Sequence, residues 1–103
     1  MEPKTQMREV EKVTVLKSVL DASGVSADAF RSLTRKQPVF FARMAYAKIR
    51  RDMGVKVEQI GSEIGRNHST VCYLVKHHHI DFRFTPVYRD MYRRAVAEIM
   101  QTV

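Results

Sequence analysis

The most constraining feature of the chain is the stretch 57–74, whose pattern predicts two helices joined by a tight turn. Ile60 and Ile64 lie four residues apart, so they share one face of the first helix. Gly65 follows where a helix can end in a left-handed residue, and Asn67 can cap the next helix through its side-chain oxygen. Together these positions predict a helix-turn-helix.

The second helix of this motif divides into an apolar face and a polar face. Gly61 lies in the interior of the first helix, where glycine costs about 1 kcal/mol, and we expect it to allow a close crossing of the second helix. The apolar positions that face back onto the first helix are Val71, Leu74 and Val75. The polar side chains left free at the start of the second helix are Arg66, Asn67, His68, Ser69, Thr70 and Tyr73.

The charge of the chain favours a polyanionic partner. Eighteen Lys and Arg against eleven Asp and Glu leave a net charge of +7. Residues 31–66 hold nine of those basic side chains and three of the acidic ones, so the excess lies just before the second helix. A basic chain with a helix-turn-helix is typical of double-stranded DNA binding. An anionic membrane surface is the other polyanion that this charge allows, and the amphipathic last helix supports it weakly.

Length and composition predict one domain, which we assign to residues 7–102, after a flexible segment 1–6. No N-terminal apolar run resembles a signal peptide, and no run is long enough to span a bilayer. Cys72 is the single cysteine, so no internal disulfide can form. These features predict a cytoplasmic protein associated with the nucleoid.

Hydrophobic periodicity and helix-end signals predict an all-α fold of about six helices. A first helix over 7–22 ends before Gly24, and Ser26 caps a short helix over 27–33. Pro38 lies in the first turn of a long helix that ends at Gly54. The second helix of the motif is predicted to end at His78 or His79, before a loop over 80–84, and Pro86 begins the last helix.

Three of these helices carry apolar stripes that predict the core. The first helix has Val10, Val13, Leu16, Val19 and Leu20. The long helix has Ala42, Ala45, Tyr46, Ile49 and Met53. The last helix has Tyr88, Met91, Tyr92, Ala95, Val96, Ile99 and Met100. His78 continues the apolar stripe of the second helix of the motif, which we call the recognition helix, and is predicted to lie at the edge of the core.

Residues 60–71, with the sequence IGSEIGRNHSTV, resemble the signature of the C-terminal DNA-binding domain of the bacterial replication initiator DnaA. Upstream, Arg43, Tyr46, Ile49 and Arg51 resemble the pattern of the family's long helix. The order of helices also matches, over residues 8–102. The resemblance implies an all-α fold, similar to that of Trp repressor, and sequence-specific DNA binding in replication initiation or transcription control. Because no phosphate-binding glycine-rich loop occurs, we expect a free-standing relative of that domain.

The resemblance also implies roles for the residues that match the family's motif. Residues 66 and 68–70 would lie at the major groove, where they read bases and bind phosphate. Arg43 would contact the DNA backbone from the long helix, and Arg35 or Lys36 would occupy the place from which a family arginine enters the minor groove. The full predicted DNA-binding set is Arg35, Lys36, Arg43, Arg66, Asn67, His68, Ser69, Thr70, Tyr73 and Lys76.

This chain departs from the family at several positions. The turn has one glycine, Gly65, where the family has two, and Met44 replaces a glutamine. Asn67 stands where the family has an acidic residue. An Asp there can accept from a cytosine amino group, whereas Asn prefers adenine. We favour the capping role for Asn67, which does not exclude a base contact, and the DNA site need not be that of the initiator.

Other functions have weaker support in the sequence. A helix points His77, His78 and His79 in three directions, so we expect no metal site and no cofactor. Serine and histidine meet only in the turn motif, and no carboxylate pair stands out, so we predict no enzymatic activity. The alternative function is a protein-interaction adaptor that docks a replication or transcription protein through the apolar stripe of the last helix. The oligomeric state is not determined by the sequence.

Overall fold

The computed structural model describes residues 10–102, so the predicted flexible segment 1–6 and the start of the predicted first helix lie outside the described residues. Six α-helices make up this part of the chain: α1 (Lys12–Ser23), α2 (Ala27–Arg31), α3 (Gln37–Asp52), α4 (Val57–Ile64), α5 (His68–Phe84) and α6 (Pro86–Gln101). No strand occurs between residues 10 and 102. The all-α prediction is confirmed.

The local signals for helix ends are confirmed at four positions. Gly24 and Gly65 end α1 and α4 in the left-handed conformation, with φ of 72° and 69°. The Ser26 hydroxyl accepts the backbone N–H of Ala29 at 3.1 Å, which caps α2. Pro38 lies in the first turn of α3. The short helix α2 ends at Arg31, two residues earlier than predicted.

Helix α3 is the centre of the core. It packs against all five other helices, so side chains around most of its circumference are buried. The buried stripe predicted for it is confirmed at Ala42, Ala45, Tyr46, Ile49 and Met53. Because α3 is enclosed by the five other helices, buried polar side chains on it must find partners inside the protein. Two arginines of α3 meet this requirement in different ways.

The predicted stripe of α1 is wrong at one position. Val13 is 62% exposed, whereas Val15 and Val19 are fully buried. Val13 and Val15 lie on opposite sides of the helix, since two residues turn it by about 200°. The apolar residues of α1 fit more than one face, and packing against α6 and α3 selects the face that carries Val15, Ser18 and Val19.

The predicted loop over 80–84 is also wrong, because α5 continues as a helix to Phe84. His77 Nδ1 lies 3.0 Å from the Asp81 carboxylate, one turn further along. Phe82 packs edge-on against Tyr92 of α6, with ring centroids 5.7 Å apart, which secures the added turns of the helix. The helix ends only at Thr85, because the residue before a proline disfavours the helical conformation.

Helix α6 runs along α1 and α5 and completes the core. Its predicted stripe is confirmed, with Tyr88, Met91, Ala95 and Ile99 buried. The other members of the stripe pack against the same core and are half-buried: Tyr92, Val96 and Met100. The stripe therefore faces the protein's own interior. This removes the observation that supported a docking face on the last helix.

Candidate nucleic-acid interface

The turn between α4 and α5 is tighter than two crossing helices alone would require. The carbonyl oxygen of Gly61 accepts the backbone N–H of Gly65 and that of Arg66, the latter at 2.8 Å. A Cβ on residue 61 would collide with the Arg66 carbonyl oxygen. Gly61 is thus required by the backbone of the turn, whereas the sequence suggested a close approach of the second helix. Its absent side chain lets the turn fold directly onto α4.

The start of α5 presents a capped and exposed first turn. Asn67 Oδ1 accepts the backbone N–H of Thr70 at 2.9 Å, so the predicted cap is confirmed. The amide nitrogen of Asn67 is not used by the cap. His68 and Ser69 are exposed, and Thr70 is half-buried. These side chains project from the N-terminal turn of a helix, which is where helix-turn-helix proteins contact base edges.

A cleft of about 490 Å³ separates this helix from the loop before α3. Thr70 and Tyr73 line it from α5, Arg35 from the loop, and Arg66 from the turn. The side chains that line the cleft include three arginines and no carboxylate: Leu33, Arg35, Phe40, Arg43, Arg66, Thr70, Tyr73 and Leu74. The structure therefore brings together the predicted loop and recognition-helix residues around one positively charged cleft.

The exposed face of α5 continues this surface for two more turns. Tyr73 is 53% exposed, and its ring lies 6.4 Å from that of Phe40 and 5.0 Å from that of His77. Lys76 is exposed one turn after Cys72, which is itself exposed. In the loop, Arg35 and Lys36 are both exposed. Of the ten predicted contact residues, nine are exposed or half-buried, and Arg43 is the one that is buried.

Arg43 is buried beneath the loop, with 5% of its surface exposed. Its Nε donates to the carbonyl of Phe30 at 3.0 Å and its Nη1 to that of Thr34 at 2.8 Å. Its Nη2 donates to the carbonyls of Ser32 at 2.5 Å and Ala29 at 3.4 Å. Four of the five N–H groups of its guanidinium are thus bonded to the protein's own backbone. The predicted role is therefore not the one that this geometry favours.

Arg66 meets Arg43 at the same carbonyl. Its Nη2 donates to the Ser32 carbonyl at 2.8 Å and its Nη1 to that of Gly65 at 3.0 Å. Burial, and after it the positive charge of Arg66, lower the pKa of Arg43 from its ordinary value. Arginine carries a positive charge at neutral pH. Positive charge thus accumulates between the loop and the turn.

The far end of α3 holds a second buried arginine with a different partner. Arg50 Nε and Nη2 donate to the two carboxylate oxygens of Glu63 on α4, at 2.8 and 2.6 Å. The Tyr46 hydroxyl and the Gln59 amide donate to the same carboxylate at 2.8 and 3.2 Å. Burial raises the pKa of Glu63, but the bonds from Arg50 and Tyr46 outweigh it and leave that pKa below its usual value. This cluster fastens α4 to α3.

The three consecutive histidines have three different surroundings. His77 pairs with Asp81, His79 is exposed, and His78 is buried with its Nδ1 2.7 Å from the Tyr88 hydroxyl. The prediction that His78 lies at the edge of the core is confirmed. Burial, followed by the nearby charges of Lys48 and His79, lowers the pKa of His78 to about 4. His78 is therefore neutral at physiological pH and links α5 to α6.

Two features of the structure were missed by the sequence analysis. Leu33, in the middle of the basic loop, is 87% exposed and borders the cleft. The Arg50–Glu63 pair was also missed, since its two members are 13 residues apart and lie on different helices. The signal for Leu33 was its place between Arg31 and Arg35, because a leucine in a polar loop is not required by any helical stripe.

Comparison with known proteins identifies the motif that this surface is built on. The family model described as the bacterial dnaA protein helix-turn-helix matches residues 13–77, from α1 through the first turns of α5. No curated protein matches the chain. No helix among residues 10–102 has the length and apolarity needed to cross a membrane.

Proposed function

This chain belongs to the bacterial dnaA protein helix-turn-helix family, and we propose that it is a sequence-specific binding protein for double-stranded DNA, without enzymatic activity, that acts in replication initiation or transcription control. In this proposal the first turns of α5 enter the major groove, and basic side chains of the loop and turn bind the phosphates on either side.

One observation carries the proposal: residues of the first turns of α5 line a cleft together with three arginines and with no carboxylate. Arg35 and Arg66 line this cleft together with Thr70 and Tyr73. DNA recognition needs both parts, because phosphate contacts position a protein and base contacts specify the sequence. The surface offers the two kinds of side chain next to each other.

Within this proposal, the side chains of α5 read the bases. The free amide of Asn67 can donate to an acceptor on a base edge while its oxygen remains in the cap. Thr70 can offer a hydroxyl to a base or phosphate and a methyl group to thymine. Ser69 and His68, both exposed in the first turn, are the other candidate base readers, and Lys76 lies further along the same helix.

The phosphate-binding part of the proposal is tested by the salt dependence of affinity for a labelled duplex. If about five basic side chains touch phosphate, the slope of log affinity against log salt is expected to be about −4 to −5. Lys76→Ala is expected to reduce the magnitude of this slope by about 1. Arg83→Ala is the matched control, since Arg83 is an exposed cation at the opposite end of α5. A slope near zero, or equal effects of the two substitutions, would contradict the proposal.

The sequence-reading part is tested by selection from random duplexes. An enriched motif is expected, and the wild-type protein should then prefer that motif to a scrambled duplex by a factor of about 1,000 or more. A pool that shows salt-dependent binding but no enrichment would leave DNA binding in place and contradict sequence specificity. The adaptor alternative loses its support because the apolar stripe of α6 is buried in the core.

A further inference from the structure

Arg43 is a buried cation that has no carboxylate partner among the described residues. A buried charge without a counter-charge is costly unless its hydrogen bonds are satisfied. Arg43 satisfies them with four backbone carbonyls, and three of these lie within five residues of one another: Phe30, Ser32 and Thr34. The guanidinium therefore holds the backbone between α2 and α3 through several hydrogen bonds at once.

The loop 32–36 has few other contacts that could determine its course. Its own hydroxyls make short-range bonds, from the N–H of Thr34 to Ser32 Oγ at 3.2 Å and from the N–H of Lys36 to Thr34 Oγ1 at 3.4 Å. Within residues 10–102, the side-chain bonds that reach the loop from other elements come from Arg43 and Arg66. Arg43 starts from α3, the most enclosed helix, so it ties the loop to the rigid core.

The course of the loop decides where its cations stand relative to the recognition helix. Arg35 lies directly after Thr34, whose carbonyl Arg43 holds, and it lines the cleft opposite Thr70 and Tyr73. The Ser32 carbonyl, shared by Arg43 and Arg66, joins the loop to the turn before α5. The bonds to the carbonyls of Ser32 and Thr34 thus set the distance between the loop and α5.

We propose that Arg43 is a positioning residue for DNA binding, which holds the loop 32–36 so that Arg35 engages DNA at the same time as α5. This inference rests on the proposed function. It assigns to Arg43 an indirect action through the loop, in place of a direct contact with phosphate. A lysine at position 43 would keep the charge but could not bond these carbonyls together, because its single ammonium group lacks the planar fork of a guanidinium.

A double-mutant cycle on duplex affinity tests this action. In the wild-type background, Arg35→Ala is expected to weaken binding about tenfold at moderate salt, the effect of one lost phosphate contact. In the Arg43→Lys background the same substitution is expected to weaken binding less than about twofold, because the loop no longer presents Arg35. Lys76→Ala is the control, since Lys76 lies on α5, away from the loop, and its effect should be the same in both backgrounds.

Each outcome of the cycle decides the proposal. Equal effects of Arg35→Ala in the two backgrounds would overturn it, and so would a loss of the Lys76→Ala effect, which would indicate a general loss of binding. Circular dichroism checks that each variant is folded, and Arg43→Gln replaces Arg43→Lys if the lysine variant is not. If the wild-type protein binds no duplex, the positioning role for DNA is overturned with the proposed function.

A measurement without DNA separates the two proposals. Trypsin cleaves after Arg35 and Lys36 only where the loop can leave its folded course. Cleavage at these two sites is expected to be at least about fivefold faster in Arg43→Lys than in the wild type, with no change at Lys76 in α5. Unchanged cleavage in the loop would overturn the holding of the loop by Arg43, whatever the result with DNA.

Discussion

Helix α3 buries two arginines, Arg43 in its first half and Arg50 near its C-terminal end, and the two are partnered in opposite ways. Arg50 faces the carboxylate of Glu63, which neutralises it and fastens α4 to the core. Arg43, two helical turns earlier, faces only carbonyl oxygens and the like charge of Arg66. We call the neutral contact between Arg50 and Glu63 the closed joint, at the closed end of α3. The half of α3 that carries Arg43 is called the open end. It holds the loop and leaves positive charge beside α5.

This difference separates the structural and the binding parts of the surface. A protein that binds a polyanion gains from net positive charge at the contact, and a carboxylate next to Arg43 would cancel it. The joint between α3 and α4 lies at the other end of α3, so a carboxylate there does not weaken that charge. We therefore expect substitutions at the two arginines and their partners to differ in their effects on stability, on DNA binding and on pH dependence.

Loss of the carboxylate at the closed end should have the largest effect. Glu63→Ala leaves Arg50 buried without a counter-charge and removes the acceptor of Tyr46, so the free energy of unfolding is expected to fall by about 3–5 kcal/mol. Urea unfolding followed by circular dichroism measures the change. Glu58→Ala, on the exposed side of the same helix, is the control and should cost less than about 1 kcal/mol. Similar losses for the two variants would contradict the closed joint.

Loss of the cation at the open end should cost less. Arg43→Met keeps much of the side-chain volume but leaves the carbonyls of Phe30 and Thr34 without a donor, for an expected loss of about 2 kcal/mol. The cost is smaller than at Glu63 because no buried charge is left unpaired and water can reach the loop. The same urea titration measures it, with the exposed Arg31→Met as control. A loss larger than that of Glu63→Ala would reverse the comparison.

A substitution at the proposed DNA-binding surface should change sequence specificity and leave the free energy of unfolding unchanged. Thr70→Ala is expected to narrow the gap between preferred and scrambled duplex by about 1–2 kcal/mol, the scale of one base contact. Binding curves on the two duplexes measure the gap, and circular dichroism controls for folding. Ser62→Ala, an exposed substitution on α4 away from the cleft, should leave the gap unchanged. An unchanged gap for Thr70→Ala with intact helicity would exclude Thr70 as a reader.

The smallest expected effect is a difference in acid sensitivity between the two ends. The pKa of Glu63 is lowered in the folded state, so its contribution to stability is complete above the unfolded value of 4.5 and is lost as the pH falls through the folded value. The loss is small because burial opposes the hydrogen bonds to the carboxylate. Unfolding free energy measured from pH 5 to 3 should therefore decline less steeply in Glu63→Gln than in the wild type.

The open end supplies the control for this pH experiment. No carboxylate faces Arg43 within residues 10–102, so Arg43→Met should lower stability by the same amount at every pH in this range. The buried His78, whose pKa of about 4 is below its unfolded value, reduces stability as the pH falls below 6.5 in every variant alike. A pH slope in Arg43→Met that differs from the wild type would indicate a carboxylate coupled to the open end.

The helices and the helix-turn-helix could be predicted from the sequence alone, because the residues that begin and end helices act on nearby backbone groups. Gly24, Gly65, Ser26 and Asn67 each act on backbone groups within a few residues, and all four act as their residue types predict. The same locality explains why the exposed side chains at the start of α5, which we propose to read DNA, could be named from the sequence. They occupy the first turn of a helix whose start and apolar face were both visible in the sequence.

The hydrogen-bond partners of Arg43 and Arg50 could be identified only from the folded structure. An arginine on a helix can donate hydrogen bonds to water, phosphate, a carboxylate or backbone carbonyls. Which of these it contacts depends on groups that come from other parts of the chain. Arg43 finds its carbonyls 9 to 14 residues away, and Arg50 finds its carboxylate 13 residues away on another helix. Packing likewise selected Val15 over Val13 and extended α5 through Phe82. Local patterns carry no record of these partners, because such contacts form only when helices distant in sequence pack together.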